Sequence, residues 1–137
     1  ELFVQTGDLE VIKGLAKRFD SLQYCLDTGY INADDKHDFY EYVNGLAGRI
    51  GYVHISDNYG REDEHLPPGI SGGISREKWD YLLCALQDEG RDITASFEMC
   101  PPSPDVMIRQ ACDFMFSKMN WPDGKTNFAK LQNHCIL

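Results

Sequence analysis

At 137 residues the chain is sized for one domain with a substantial core, and a hydrophobic share of 42% places it among globular rather than disordered sequences. A net charge of -9 and a pI near 4.7, with no clustered Lys/Arg run, argue against binding a nucleic-acid polyanion. No apolar run approaches the roughly 20 residues of a membrane helix and the start lacks a signal-peptide layout, so neither a membrane role nor secretion is expected.

The chain opens at Glu1 rather than Met, on a strand-like Glu-Leu-Phe-Val, which reads as truncation or processing. Thr6-Gly7-Asp8 offers a turn and an N-cap, and Leu9, Ile12, Leu15, Ala16 and Phe19 then recur at helical spacing. Leu22 to Leu26 is a short apolar run bounded by turn residues, a buried strand that ends at Asp27. Asp34 and Asp35 open a second helix with Phe39, Tyr42, Val43, Leu46 and Ala47 on one face, weakened at its end by Gly45 and Gly48. Tyr52 to Ile55 is the next strand.

A long loop from Ser56 to about Ile74 follows, rich in Gly and containing Pro67-Pro68; loops of that length in compact domains are uncommon and often functional. Ser75 caps a third helix with Trp79, Leu82, Leu83 and Leu86 as its apolar stripe, and Gly90 stops it. Ile93 to Phe97 reads as another buried strand, ending at Glu98. Ser103 and Pro104 open the last long helix, whose buried side is Val106, Met107, Ala111, Phe114 and Met115. The expected division is a domain over 1–120 and a tail over 121–137 with at most one short helix.

Strand and helix alternate throughout, which argues for an α/β fold with a parallel sheet. No GxGxxG follows a strand, so a dinucleotide-binding sheet has no support. The five cysteines, Cys25, Cys84, Cys100, Cys112 and Cys135, are widely spaced, odd in number and without a CxxC pair. They read as reduced, buried thiols of a cytoplasmic protein.

The stretch from Gly51 to Gly69 concentrates polar groups: His54, Asp57, Asp63, Glu64 and His65. Three strand ends present Asp27, His54 and Glu98, and the opening strand brings Glu1 to the same rim. Each has an ordinary reading. An Asp after a strand caps a helix or turn, and a lone strand His is a satisfied core residue. Glu98 is harder to set aside, because a carboxylate capping an apolar strand is costly unless paired or exposed. One imidazole with several carboxylates on adjacent parallel strands suits a divalent cation, Mn, Mg, Co or Zn, without deciding among them.

Four motifs follow one another in order: Cys-Leu-Asp-Thr-Gly-Tyr from Cys25, Tyr-Val-His-Ile-Ser-Asp-Asn from Tyr52, Asp-Glu-His-Leu-Pro-Pro-Gly from Asp63, and Ser-Phe-Glu-Met-Cys-Pro-Pro from Ser96. Together they resemble the C-terminal half of the xylose isomerase-like barrel superfamily, which contains sugar isomerases and epimerases and the zinc-dependent apurinic endonucleases. The resemblance implies that these are the last strands of a (β/α)8 TIM barrel, roughly half of the about 250 residues a whole barrel takes. It makes Asp27, His54 and Glu98 metal ligands at the ends of the sixth to eighth strands. Glu1 stands where the fifth-strand ligand would be, with Glu-Leu in place of the usual Glu-Asn. Asp63 and His65 match the Asp-x-His pair that holds an additional zinc in the endonucleases. Tyr30 stands where both branches commonly have His, and a neutral phenol is a poor replacement ligand.

That substitution and the acidic balance favour a single-metal sugar isomerase or epimerase acting on a small sugar or hydroxy-ketone. Glu98 and Glu1 are its expected acid/base pair, with His65, Asp63, Asp57 and Tyr30 contacting substrate. A half barrel has open edges, so a homo-oligomer, or pairing with a missing barrel half, is the expected assembly. The alternatives are an oligomeric half-barrel without catalysis and a zinc-dependent endonuclease.

Overall fold

The computed structural model describes residues 8–88, 90, 92–100 and 104–118. The expected opening strand with Glu1, the Ser103 cap, Cys135 and the tail over 121–137 lie outside the described residues. The elements run α1 (Leu9–Arg18), β1 (Tyr24–Asp27), α2 (Thr28–Ala33), α3 (Phe39–Leu46), β2 (Ile50–Ile55), α4 (Arg76–Asp88), β3 (Thr94–Phe97) and α5 (Asp105–Lys118). The strands form one parallel sheet in the order β1-β2-β3, the α/β arrangement expected from the alternation and consistent with part of a TIM barrel. None of the described helices is long and apolar enough to cross a membrane.

Strand side chains alternate between faces, and here the alternation separates core from site. Leu26, Val53 and Ile55 are buried against the helices, with Leu9, Tyr42, Val43, Leu46, Trp79 and Leu82 in the same core. Cys25 and Asp27 on β1, and Tyr52 and His54 on β2, occupy the intervening positions and are only half-buried. Burying each large side chain of that core contributes about 1.5–3 kcal/mol, so the helix-facing row sets the register.

Local signals explain most boundaries. Asp8 caps α1, accepting from the N–H groups of Glu10 and Val11 at 3.0 and 3.2 Å, and Lys17 and Arg18 complement the dipole at the far end. The stretch after β1 departs from expectation. Asp27 caps a short α2 directly, and α3 starts at Phe39 rather than at Asp34-Asp35. A capping box decides this: Asp38 accepts from Glu41 N at 2.8 Å while Glu41 accepts from Asp38 N at 3.0 Å. Asp34 instead takes the Tyr42 hydroxyl at 2.6 Å. The described cysteines form no disulfide among themselves, as expected, but none is fully buried: Cys25 and Cys112 are half-buried, and Cys84 and Cys100 are exposed.

The loop from Ser56 to Ser75 is tightly built although it contains no helix and only one isolated bridge, between Asp57 and Leu66. The carboxylate of Asp57, 0% exposed, organises it. One oxygen accepts from Asn58 N at 2.8 Å and Ile74 N at 3.0 Å, the other from Gly69 N at 3.0 Å. Its backbone exchanges two 2.7 Å hydrogen bonds with Leu66. Gly73 closes the loop, since a Cβ there would stand 1.5 Å from the Asn58 carbonyl oxygen.

A buried polar seam ties this loop to α2. Thr28 Oγ1 donates to the Ser56 carbonyl at 2.7 Å and accepts from Ser56 N at 3.0 Å. Asn58 accepts from Asn32 at 2.8 Å and donates to the Gly29 carbonyl at 2.6 Å. Lys78 on α4 completes the seam with a 2.8 Å bond to Asn32. Because three backbone N–H groups depend on one buried carboxylate, Asp57→Ala is expected to lower unfolding free energy by at least about 3 kcal/mol, at roughly 1–3 kcal/mol per group left unpaired. Urea unfolding measures this, and a loss under about 1 kcal/mol contradicts the assignment.

Candidate metal centre

Parallel register brings the site together. Asp27 and His54 are Cα partners at the ends of β1 and β2, and His54 is the partner of Ser96 on β3. Glu98 lies two residues beyond Ser96, on the same face, and its N–H donates to the Ile55 carbonyl at 3.0 Å, which carries the strand pairing past the end of β3. Three side chains from three adjacent strand ends therefore converge. One donor atom from each of Asp27, His54 and Glu98 lies within 4.8 Å of the others.

His54 Nδ1 stands 2.7 Å from Glu98 Oε2 and 3.7 Å from Asp27 Oδ2. The Asp27 contact, with Cys25 and Glu98 assisting, raises the His54 pKa to about 10 against the opposing effect of burial. The longer contact has the larger influence because the Asp27 side chain is 15% exposed, whereas that of Glu98 is 44% exposed and screened by water. Burial pushes the Asp27 carboxyl up, but the His54 ring and the Tyr30 N–H outweigh it and hold Asp27 below its ordinary value. That N–H occupies Oδ1 at 3.0 Å, so Asp27 serves as the cap of α2 with one oxygen and faces the cluster with the other.

Asp63 and His65 stand beside this group. His65 Nδ1 lies 3.1 Å from the Glu98 carbonyl oxygen, which can only accept, so Nδ1 carries the hydrogen. His65 Nε2 stands 3.4 Å from Asp63 Oδ2, a contact that becomes an ion pair when the ring is protonated. His65 itself sits at φ 52, a left-handed conformation rare outside glycine and concentrated at functional sites. Burial raises the Asp63 pKa, and the charges of Asp27 and Glu98 raise it further.

The donor set fits a divalent cation. Three carboxylates crowd two imidazoles, and among the described residues no Lys or Arg pairs with any of the three. Like charges about 4 Å apart repel by roughly 4 kcal/mol at an effective dielectric of about 20, which a cation would reverse. Asp27, His54 and Glu98 would hold it, with mixed N/O ligation.

Two expected substrate contacts fall elsewhere. Asp57 is buried beneath the loop with both oxygens used by backbone N–H groups, so it presents nothing to a substrate. Tyr30 leaves the rim because α2 turns its ring toward α3, edge-on to Tyr42 at 6.5 Å. Pro67 and Pro68 are buried as well, and Gly69 packs against Phe114 of α5, so this turn is scaffold. Thr28, Asn32, Ser56 and Asn58, which support the rim from below, were not singled out from the sequence. For Ser56 and Asn58 the one signal is the polar Ser-Asp-Asn run directly after a buried strand; Thr28 and Asn32 lie outside that run, in α2.

The pH behaviour of the cation-free protein tests the cluster. His54 is expected to titrate near pH 10 rather than at the ordinary 6.5, as followed by imidazole resonances in the presence of a chelator. Its folded-state value is raised, so its contribution to stability is full below about 6.5 and is lost as the pH climbs toward 10. Asp27→Asn lowers the midpoint. A wild-type midpoint near 6.5 would contradict the geometry.

Comparison with curated proteins yields no significant match. The sequence profile described as xylose isomerase-like TIM barrel matches residues 3–118, most of the chain and all three described strands. With parallel strands whose C-terminal ends carry Asp27, His54 and Glu98, the chain belongs to the xylose isomerase-like TIM barrel family.

Proposed function

We propose that the chain carries the rim of a divalent-metal-dependent sugar isomerase or epimerase acting on a small sugar or hydroxy-ketone. The observation that supports this most directly is the convergence of Asp27, His54 and Glu98 at three strand ends, with no Lys or Arg among the described residues paired to either carboxylate. When bound, the cation supplies Lewis-acid polarisation of a carbonyl and so acidifies the neighbouring C–H.

The side chains divide the remaining work. Asp27, pinned at Oδ1, offers Oδ2 as a single fixed ligand atom. His54 gives up its proton on loading, so cation affinity rises with pH. Glu98, the most exposed of the three, removes the proton beside the carbonyl and leaves an enediolate; a second acid/base returns the proton to the other carbon or the other face. His65 and Asp63 contact the substrate hydroxyls. Glu1, the expected partner of Glu98, lies outside the described residues.

Glu98→Gln is expected to cut turnover at least about 100-fold, as loss of a general acid/base does. His54→Ala is expected to weaken Mn2+ binding by more than about 10-fold, the least that loss of even an outer partner costs. Isothermal titration and steady-state assay on aldoses and hydroxy-ketones read the two. Unchanged turnover together with unchanged metal content in Glu98→Gln would sink the proposal.

A second reading is favoured by one observation, the placement of His65 Nε2 3.4 Å from Asp63 Oδ2 beside the cluster. It provides for an additional cation, as in a zinc-dependent endonuclease. Two or three zinc ions per chain with nicking of abasic DNA would support it; one ion per chain with sugar turnover would exclude it. Among the described residues β1 and β3 each leave one edge unpaired, and the face bearing the cluster is half-exposed. The expected assembly is accordingly self-association or pairing with further barrel strands, and a monodisperse monomer in light scattering would contradict it.

A further inference from the structure

The strand ends are not alone in gathering charge. At the opposite end of the sheet, a cleft of about 360 Å³ opens between α1 and the end of α3. Tyr24, the first residue of β1, and Arg49, which directly precedes β2, both line it. Its charge runs against that of the chain. Lys13, Lys17 and Arg49 face Glu10 as the one carboxylate among the described lining residues, in a protein of net charge -9. Lys13 and Lys17 stand four residues apart on one face of α1, a like-charge spacing that destabilises a helix. Glu10 takes Lys13 at 2.9 Å in an exposed pair, which leaves Lys17 without an ion pair among the described residues.

Arg49 is held in place. Its Nη1 donates to the Phe19 and Asp20 carbonyls at 3.1 and 3.3 Å, while Nη2 and Nε have no acceptor among the described residues. Burial raises the Tyr24 phenol, and the charge of Arg49 opposes it, so that charge stands at the cleft wall. Gly45 admits the third cation. A Cβ there would stand 3.0 Å from Lys13 Cε and 3.2 Å from Leu9 Cδ1, so bare backbone lets the Lys13 stem cross α3, at the cost of a glycine within a helix.

We propose that this cleft is a binding site for a small phosphorylated metabolite, whose phosphate is held between Lys13, Lys17 and Arg49. It lies apart from the candidate metal centre and does not rest on the cation reading. A fixed guanidinium with two neighbouring ammonium groups supplies the charge-assisted donors that a phosphate dianion takes. The volume is at the small end of ligand pockets, and Ala16 and Ala47 offer apolar wall for a short carbon chain. A ligand seated there would tie α1 to the residue before β2, and so stabilise the folded chain.

The test is calorimetric titration of the full chain, in chelator, with inorganic phosphate and with glycerol 3-phosphate. The ester is expected to bind more tightly than inorganic phosphate and to raise the urea midpoint. Lys17→Gln and Arg49→Gln should each weaken ester binding at least about 10-fold, the least that loss of a charge-assisted hydrogen bond costs. Arg61→Gln makes the same change in net charge on the exposed loop, and should leave the affinity unchanged. Arg49 also holds two carbonyls, so its variant is checked for folding by urea; Lys17 is exposed, and Lys17→Gln decides the matter if Arg49→Gln unfolds. Absence of binding by either phosphate compound would overturn the proposal. So would an equal loss in Arg61→Gln, the mark of diffuse surface charge. Inorganic phosphate binding as tightly as the ester would overturn the assignment to a phosphorylated metabolite.

Discussion

The pairing of β1 with β2 is the constraint on which the site depends. With Asp27 opposite His54, Leu26 and Val53 point together into the helix layer, where both are 1% exposed. A slip of one residue would exchange the faces, sending His54 into the core and Val53 onto the open side. Burying a charged imidazole and exposing a row of aliphatic side chains would cost far more than the few kcal/mol that separate folded from unfolded states. The core therefore fixes the position of the three candidate donor groups. No interaction among Asp27, His54 and Glu98 themselves is needed to hold the register, which leaves those three side chains available for chemistry.

The two aspartates of the following loop show how burial divides similar residues. Asp57 immediately follows β2 and the buried Ser56, and its carboxylate is the acceptor on which Asn58, Gly69 and Ile74 close. Asp63 lies at the loop's outer part, with its side chain 29% exposed, one oxygen over Gly29 and one toward His65. The first gives the loop its shape; the second stands at the rim because the first has done so. The polar seam of Thr28, Asn32 and Asn58 belongs with Asp57, since it fastens the same loop to α2 and thereby to the cap made by Asp27. Site and scaffold thus meet in Asp27, whose oxygens serve one each.

These divisions mark what was legible in the sequence. The apolar runs ending at Asp27 and before Glu98, and the β-branched run carrying His54, identified three strand ends correctly, because burial of alternate positions leaves a periodic trace. The roles of Asp57 and Asp63 left no such trace. Both sit in a polar, glycine-rich loop, and only three-dimensional closure reveals which carboxylate meets backbone N–H groups. The resemblance puts Tyr30 at the rim, where the family commonly has His; a helix of six residues, too short to show a period, carries its ring to Tyr42 instead. The start of α3 was misplaced for a local reason, since Asp34, Asp35 and Asp38 are all good caps and the reciprocal bond with Glu41 selects the last.

Electrostatics explains how such a site persists in a chain of net charge -9. Without a cation, the proton held on His54 lies between Asp27 and Glu98 and offsets part of their repulsion. A cation bound as proposed would exchange that proton for a larger charge at the same place, and the imidazole would become a ligand instead of a counter-ion. The arrangement fits that exchange because Asp27 is fixed by the α2 cap while Glu98, 44% exposed, retains freedom to adjust. A lysine at the position of His54 would neutralise the carboxylates equally well, but at neutral pH it would keep its proton and offer no lone pair. An imidazole is the side chain that can serve in both states, and this is why a histidine at the end of β2 carries more information about function than the acidic residues around it.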